Sequence, residues 1–138
     1  MATIREFNLT IEDRPGTLSK ICRALADRNV NIIAAQAFSS GGKSVMRMVF
    51  DEPAKARNVL DSERTTYTEA DVVQVKLANR AGELARVAQK LGDASININH
   101  LYCGLEPSTN TPLVFFGVAD VGKAAPLLEQ AAAAAGRG

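Results

Sequence analysis

The start of the chain switches between two hydrophobic periods. Residues 6–11 place apolar side chains at every second position, which predicts a strand with one buried face. Residues 18–25 carry apolar side chains at helical spacing, with Asp13 as the expected N-cap and Asn29 as the expected stop signal. The pattern therefore predicts a strand that leads through a short turn into a helix.

A hairpin and a second helix come next along the chain. Residues 30–38 and 45–50 are predicted strands, and the Ser-Ser-Gly-Gly turn at residues 39–42 suits a tight connection between them. A short helix is predicted from about Pro53. Residues 65–68 are β-prone and leave room for only a short fourth strand.

The second half of the chain repeats this order. Strand, helix, strand and strand are predicted in turn for residues 71–77, 83–91, 96–103 and 113–118. A last helix is predicted to begin near Asp120, and Pro126 inside it is expected to distort its first turns. Residues 131–138 are helix-prone and expected to fray, and no closing strand is visible in this half.

A sequence repeat connects the two halves. Asp13-Arg14-Pro15-Gly16-Thr17-Leu18 returns 66 positions later as Asn79-Arg80-Ala81-Gly82-Glu83-Leu84. A two-copy repeat of this length predicts a duplicated domain, with one copy in residues 1–69 and the other in residues 70–138. The β-α-β-β-α order with antiparallel hairpins predicts an α+β fold of two tandem ferredoxin-like βαββαβ units, each with its helices on one sheet face.

Composition and charge narrow the possible partners. The formal net charge is +1 and basic residues are scattered, so a nucleic-acid partner is not expected. No apolar run approaches the length of a membrane span, and residues 1–8 do not resemble a secretory signal, so a soluble cytoplasmic protein is expected. Halves of roughly 65–70 residues bury little surface alone, which favours a homodimer.

The repeated turn can bind charged groups. The N-terminus of a helix presents unpaired N–H groups that favour a carboxylate or phosphate. Gly16 and Gly82 leave the backbone open, and Asn31 and Asn97 follow the helix in each copy with an amide donor and acceptor. Together these groups suit a zwitterion. The competing interpretation is structural, since a glycine turn with an Asp or Asn cap is an ordinary way to join a strand to a helix.

Catalysis is not expected from these residues. His100 is the single histidine, and neither Cys22 nor Cys103 lies at a ligand spacing, so we expect no metal site and no cofactor. Cys22 falls on an apolar helix stripe and is expected to be a reduced thiol. An enzyme built on a ferredoxin-like sheet is the least favoured of the functions considered.

The two motifs resemble a known family. Residues 13–18 with Asn29-Val30-Asn31-Ile32 closely resemble an ACT domain, and residues 79–84 with Ser95-Ile96-Asn97-Ile98 resemble a second one. The resemblance implies a regulatory protein that binds a small effector, most often an amino acid, at the interface between ACT domains. The alternative is an interaction module that docks to a metabolic enzyme without a ligand of its own. Ala81 departs from the motif and weakens the second copy.

The residues expected to bind the effector come from both motifs and from the strands that follow the helices. They are Asp13, Arg14, Pro15, Gly16, Thr17, Leu18, Asn31, Ile32, Asn79, Arg80, Ala81, Gly82, Glu83, Leu84, Asn97 and Ile98. The first copy is expected to dominate, because Pro15 stiffens its turn.

Overall fold

The computed structural model describes residues 3–135, and it describes side chains as far as Ala132. The chain divides into two compact units. The first unit is Arg5–Ala70, and the second contains residues 71–135 together with Thr3 and Ile4. No helix in the described part of the chain is long and apolar enough to cross a membrane.

The first unit follows the predicted order of strands and helices. Its elements are β1 (Thr3–Glu12), α1 (Thr17–Asp27), β2 (Ile32–Ser40), β3 (Lys43–Phe50), α2 (Pro53–Ser62) and the beginning of β4 (Thr66–Lys76). β3 pairs antiparallel with both β1 and β2, so it is central among these three strands. The hairpin between β2 and β3 turns at Gly41 and Gly42, whose φ angles of 59° and 81° fit a tight two-residue turn.

One hydrophobic core fills the space between the first sheet and its two helices. Alternate residues of β1 and β3 meet the buried sides of α1 and α2. Phe7 is fully buried and its ring contacts Phe50 edge-on at 5.1 Å between centroids. The shared core confirms that both helices of this unit cover the same face of an antiparallel sheet.

The second unit repeats the arrangement with different lengths. It contains the end of β4, then α3 (Glu83–Asp93), β5 (His100–Leu105), β6 (Pro112–Gly117) and α4 (Val121–Ala135). β6 is paired antiparallel with β4 and β5. Its core again joins one sheet face to both helices, through residues such as Val75, Leu91, Phe116 and Leu128.

Three predictions about local structure are wrong. Asp13 is not the N-cap of α1, because Gly16 occupies that position and no side chain caps the helix. Residues 65–68 and 71–77 do not form two strands, since β4 continues from Thr66 to Lys76. Residues 96–99 lie outside β5. They have no ladder partner, because the pairing of β5 with β6 begins at His100 and Gly117.

Two features of the helix ends follow the prediction only in part. Asn29 ends the α1 segment with φ of 57°, as its tolerance of left-handed geometry predicts. Pro126 lies inside α4, but the helix continues through it to Ala135. The proline therefore removes one backbone donor without ending the helix. The expected fraying at residues 136–138 lies outside the described residues.

Candidate functional site

The two repeated turns have the same backbone. Gly16 has φ of 91° and ψ of −15°, and Gly82 has φ of 90° and ψ of −12°. These angles favour glycine because other residues rarely adopt positive φ. A Cβ atom at either position would meet no atom within 4 Å. The positive φ angle of the turn therefore accounts for glycine at both positions, since a side chain there would not collide with neighbouring atoms.

The second turn carries a buried carboxylate. Glu83 is 7% exposed, and its carboxylate accepts hydrogen bonds from Arg80 Nε at 3.2 Å and Arg86 Nη2 at 3.0 Å. The hydrogen bond from Arg86 is the main cause that holds the pKa of the Glu83 carboxyl below its usual range. Arg86 also donates from Nη1 to the carbonyl of Ala131 in α4 at 2.8 Å. This cluster lies in the first turn of α3 and connects it to α4.

The first turn has no such carboxylate. Thr17 takes the position of Glu83, and its hydroxyl donates to the carbonyl of Arg14 at 3.1 Å. Lys20 takes the position of Arg86 and forms no ion pair with any residue between 3 and 135. Arg14 forms an ion pair with Glu12 at the exposed end of β1.

An open pocket lies beside the first turn. It consists of two adjoining cavities that share Glu12, Thr17, Lys20 and Glu63, and the narrower cavity has a volume of about 330 Å³. The residues that line one or both cavities are Thr10, Ile11, Glu12, Arg14, Pro15, Gly16, Thr17, Lys20, Ile21, Lys43, Glu63, Arg64, Thr65 and Thr66. We call this the first-turn pocket.

The first-turn pocket carries charges of both signs over an apolar base. Arg14, Lys20, Lys43 and Arg64 supply four cations, while Glu12 and Glu63 supply two carboxylates. Ile11 and Ile21 belong to the buried core and contribute the apolar part of the lining. The lining therefore offers both signs of charge beside apolar side chains.

Arg64 holds an unusual backbone conformation at this pocket. Its φ is 55°, in the left-handed region that costs most residues energy. Its N–H donates to the carbonyl of Asp61 at 3.1 Å, and the N–H of Thr65 donates to Leu60 at 2.9 Å. The same pair of hydrogen bonds closes the end of α1 around Asn29. Arg64 therefore occupies a strained helix-end position and also lines the pocket.

Comparison with known proteins identifies the family of the first unit. A model of the ACT domain family matches residues 6–61. Residues 6–61 belong to the ACT domain family. The ACT domain is a regulatory, non-catalytic domain. The matched segment begins in β1, includes the first turn and ends in α2. It therefore contains most of the elements that surround the first-turn pocket.

One curated relative and two solved structures are similar to this chain. An ACT domain-containing protein of Arabidopsis thaliana is 35% identical over 69 residues, which are 50% of this chain and 15% of that protein. A protein from Bacteroides thetaiotaomicron has a TM-score of 0.83 and 22% identity, covering 94% of this chain and 88% of its own. The ligand-free regulatory subunit of aspartate kinase from Thermus thermophilus has a TM-score of 0.67 and 18% identity, covering 95% and 93%. At these identities the two structures show a common fold.

The first turn places part of the ACT motif at the pocket. Of residues 13–18, the pocket is lined by Arg14, Pro15, Gly16 and Thr17. Asp13 and Leu18 are exposed and are not among its lining residues.

Asn31 and Ile32 lie at the other end of the ACT domain. The N–H of Asn31 donates to Asp51 Oδ1 at 2.9 Å, and the N–H of Asp51 donates back to the carbonyl of Asn31 at 3.1 Å. Asp51 follows the end of β3, whereas Lys43 at the pocket begins it. Eight residues of strand separate these two ends by about 27 Å. Within the first unit, Asn31 is therefore remote from the pocket.

Asn97 and Ile98 are likewise separated from the second turn by a helix. The amide of Asn97 is exposed and donates to Asn99 Oδ1 at 2.9 Å. α3, with its 11 residues, lies between Asn97 and Gly82 along the chain. A helix of this length spans about 16 Å. Of the other residues in this motif, Asn79, Ala81 and Leu84 are exposed.

The groups that could serve catalysis or metal binding are few. The described residues contain no cluster of three His, Cys, Asp or Glu side chains that could hold a metal ion. The ring of His100 stacks on Tyr102 at 6.1 Å and lies over Gly117, where an added Cβ would be 2.0 Å from it. Cys22 is half-buried, which raises the pKa of its thiol, and Cys103 is exposed.

Proposed function

We propose that this protein is a non-catalytic sensor that binds an amino acid in the first-turn pocket. The observation that carries the proposal is the presence of cations and carboxylates around one apolar-based pocket at the N-terminus of α1. Lys20 is the central group, since it lines both cavities and has no ion pair within residues 3–135. Amino acids are zwitterions, and this charge arrangement suits them better than it suits a simple anion.

The ligand carboxylate is expected beside Lys20 and the first N–H groups of α1. Both groups favour negative charge, because the N-terminal N–H groups of a helix lack helical partners. The ligand ammonium would then lie near Glu12 or Glu63, which also line the pocket. Charge-assisted hydrogen bonds of this kind are the strong ones in protein sites.

The pocket is large enough for a small ligand. Its narrower cavity has a volume of about 330 Å³ and the adjoining one about 750 Å³, both within the range of roughly 300–1,000 Å³ that ligand-binding pockets span. A free amino acid fits either cavity.

We infer that the second unit is a second ACT domain, which would make the chain a tandem ACT protein. The unit has the same order of elements as the first, apart from a closing strand. The φ and ψ angles of Gly82, the N-cap of α3, differ by only a few degrees from those of Gly16, the N-cap of α1. The solved structures support the inference, since each aligns with more than nine-tenths of the present chain.

A homodimer and a metabolic enzyme are the partners that we propose. The regulatory subunit of aspartate kinase, which has a similar fold, is as its name states part of a metabolic enzyme. Sedimentation at micromolar concentrations should give twice the mass of 14.7 kDa. A monomer throughout that range would contradict the dimer.

A second candidate function is docking to an enzyme without a ligand. Leu18 and Leu84 occupy equivalent positions in the two turns and are 44% and 41% exposed. An exposed leucine at the same position of both copies favours a contact surface there. Under this alternative, Leu18→Ser and Leu84→Ser would disrupt docking to the enzyme.

Thermal melting with each of the twenty amino acids tests the main proposal. A ligand at 100 times its Kd adds about 2.7 kcal/mol to the free energy of unfolding, which shifts the melting temperature by several degrees. Calorimetry then gives the Kd and the stoichiometry. Lys20→Ala should weaken the Kd by about 10-fold, because it removes a charged hydrogen-bond donor.

Lys90→Ala is the matched control for this experiment. Lys90 is an exposed lysine of α3 that does not line the first-turn pocket, so its removal should leave the Kd unchanged. If no amino acid shifts the melting temperature, the sensor proposal is wrong and docking without a ligand is favoured.

A further inference from the structure

We propose that Glu83 occupies the second turn as the chain's own carboxylate, so that only the first turn takes a free ligand. The part of the inference that concerns the first turn rests on the proposed function. The statement about the second turn stands on the geometry of Glu83 alone. Glu83 thereby determines how many effector molecules each chain binds.

The first observation is the equivalence of three positions in the two turns. Counted along the repeat, Arg80, Glu83 and Arg86 correspond to three residues that all line the first-turn pocket, namely Arg14, Thr17 and Lys20. In the second unit the middle residue provides a carboxylate that bonds to both flanking cations. In the first unit the middle residue is neutral.

The second observation is the burial of the Glu83 carboxylate. Its side chain is 9% exposed, whereas the side chains of Arg80 and Arg86 are 53% and 31% exposed. A carboxylate at the N-terminus of a helix also benefits from the unpaired N–H groups there. The group is therefore held as a bound anion would be, between two arginines in the first turn of α3.

The third observation concerns the helix that follows in each unit. α2 ends at Ser62, and residues 63–66 line the first-turn pocket. α4 instead continues to Ala135, and the carbonyl of Ala131 accepts the hydrogen bond from Arg86. The longer helix thus anchors Arg86 where the first unit leaves the pocket open.

These differences define the chemistry of the missing group in the first turn. Lys20 lacks the carboxylate that Arg86 has, and Thr17 leaves room where Glu83 would extend. A ligand that supplies one carboxylate would complete the arrangement. The expected stoichiometry is one effector per chain.

Replacement of Glu83 by alanine tests whether the second turn is a carboxylate site. Glu83→Ala removes the carboxylate and leaves both arginines, so added acetate should bind in its place. We expect the variant to melt at a lower temperature than the wild type in sodium chloride. Sodium acetate at the same ionic strength and pH 7 should recover at least half of that loss, and it should not shift the wild type.

Two control variants separate a built site from a general ion effect. Glu83→Gln keeps the size of the side chain and should show no recovery with acetate, because its amide fills the space. Glu69 lies on strand β4, away from any helix N-terminus, and its carboxylate forms ion pairs with Arg57 and Arg5. Glu69→Ala removes this carboxylate. Equal recovery by acetate in Glu69→Ala and Glu83→Ala, or no recovery in Glu83→Ala, would overturn the inference. If Glu83→Ala does not fold, Glu83→Thr, which carries the residue of the first turn, is measured in the same way.

Transplanting the first turn tests the stoichiometry. The double variant Glu83→Thr with Arg86→Lys should bind two amino-acid molecules per chain in calorimetry, where the wild type binds one. Two molecules per wild-type chain would overturn the inference. Acetate recovery in Glu83→Ala, with no amino acid bound by the wild type, would instead refute the proposed function and leave the assignment of the second turn standing.

Discussion

Substitution of Arg64 by glycine should make the ligand-free protein more stable and its effector binding weaker. Arg64 has φ of 55° and lines the first-turn pocket. The left-handed conformation costs an ordinary residue about 1–2 kcal/mol, and glycine avoids this cost. Glycine also makes the unfolded chain more flexible, at a cost of about 0.4–1 kcal/mol. The expected net gain in the free energy of unfolding is therefore about 0–1.6 kcal/mol, with a midpoint near 0.8 kcal/mol.

The same change removes the guanidinium from the pocket. A hydrogen bond to a charged group is worth about 1.5–3 kcal/mol, so the Kd of the amino acid should rise by roughly 10- to 100-fold. Urea denaturation measures the first effect, and calorimetry with the amino-acid panel measures the second. If the backbone strain at Arg64 is retained for ligand binding, Arg64→Gly should raise the free energy of unfolding and at the same time weaken binding of the amino acid.

Asn29→Gly is the matched control. Asn29 has φ of 57° and ends α1 with the same hydrogen bonds that close α2, but it does not line the pocket. Asparagine tolerates this conformation, so the free energy of unfolding and the Kd should change little. If Arg64→Gly lowers stability, the argument from strain is wrong. An unchanged Kd in Arg64→Gly would mean that Arg64 does not contact the ligand.

Two further predictions concern the turn and the response to acid. Gly16→Ala should lower the free energy of unfolding by about 1–2 kcal/mol in urea titrations, because φ of 91° disfavours a side chain. Gly92→Ala, in the last turn of α3 with open space around it, should instead raise it by about 0.5–1 kcal/mol, and the same sign for both would contradict this reasoning. The hydrogen bond from Arg57 is the main cause that lowers the pKa of the Glu69 carboxyl from 4.5. The stability that this carboxylate contributes is therefore present above its pKa in the unfolded chain, and it is lost as the pH falls through its pKa in the folded protein. Melting between pH 6 and pH 3 should therefore show a smaller acid-dependent loss in Glu69→Gln, and identical pH profiles would refute the assignment.

Hydrophobic period was sufficient to locate most elements of the fold. The repeat places β1 and β4 at the same positions of the two copies, and the apolar faces predicted for both lie in the two cores. The predicted break between residues 68 and 71 was wrong because no glycine or proline interrupts the chain there, so one strand continues. Ile96 and Ile98 alternate as a strand would, and they pack against the core without belonging to a ladder.

The candidate site could be predicted only where the motif itself forms it. Gly16 and its neighbours are recognisable because glycine has a definite role in such a turn. Lys43 comes to the pocket through the register of β1 with β3, in which it pairs with Glu12. The glycines of the hairpin turn fix the register of β2 with β3 and not that of β1 with β3, so this contact could not be predicted from the turn. Arg64 carried no signal, because arginine is not a usual residue at a left-handed helix end.

The two turns show why a family motif alone does not identify a binding site. Both have the same capping glycine geometry, and both present the N-terminus of a helix. What separates them is the side chain after the glycine, which is Thr17 in the first turn and Glu83 in the second. Arg80 and Arg86, although 53% and 31% exposed, already have the Glu83 carboxylate as their partner. Under the proposed function, the Glu83 cluster therefore opposes the entry of a ligand carboxylate, whereas the first turn gains a partner for Lys20 when one binds. The same backbone can in this way stabilise one copy and leave the other ready to respond.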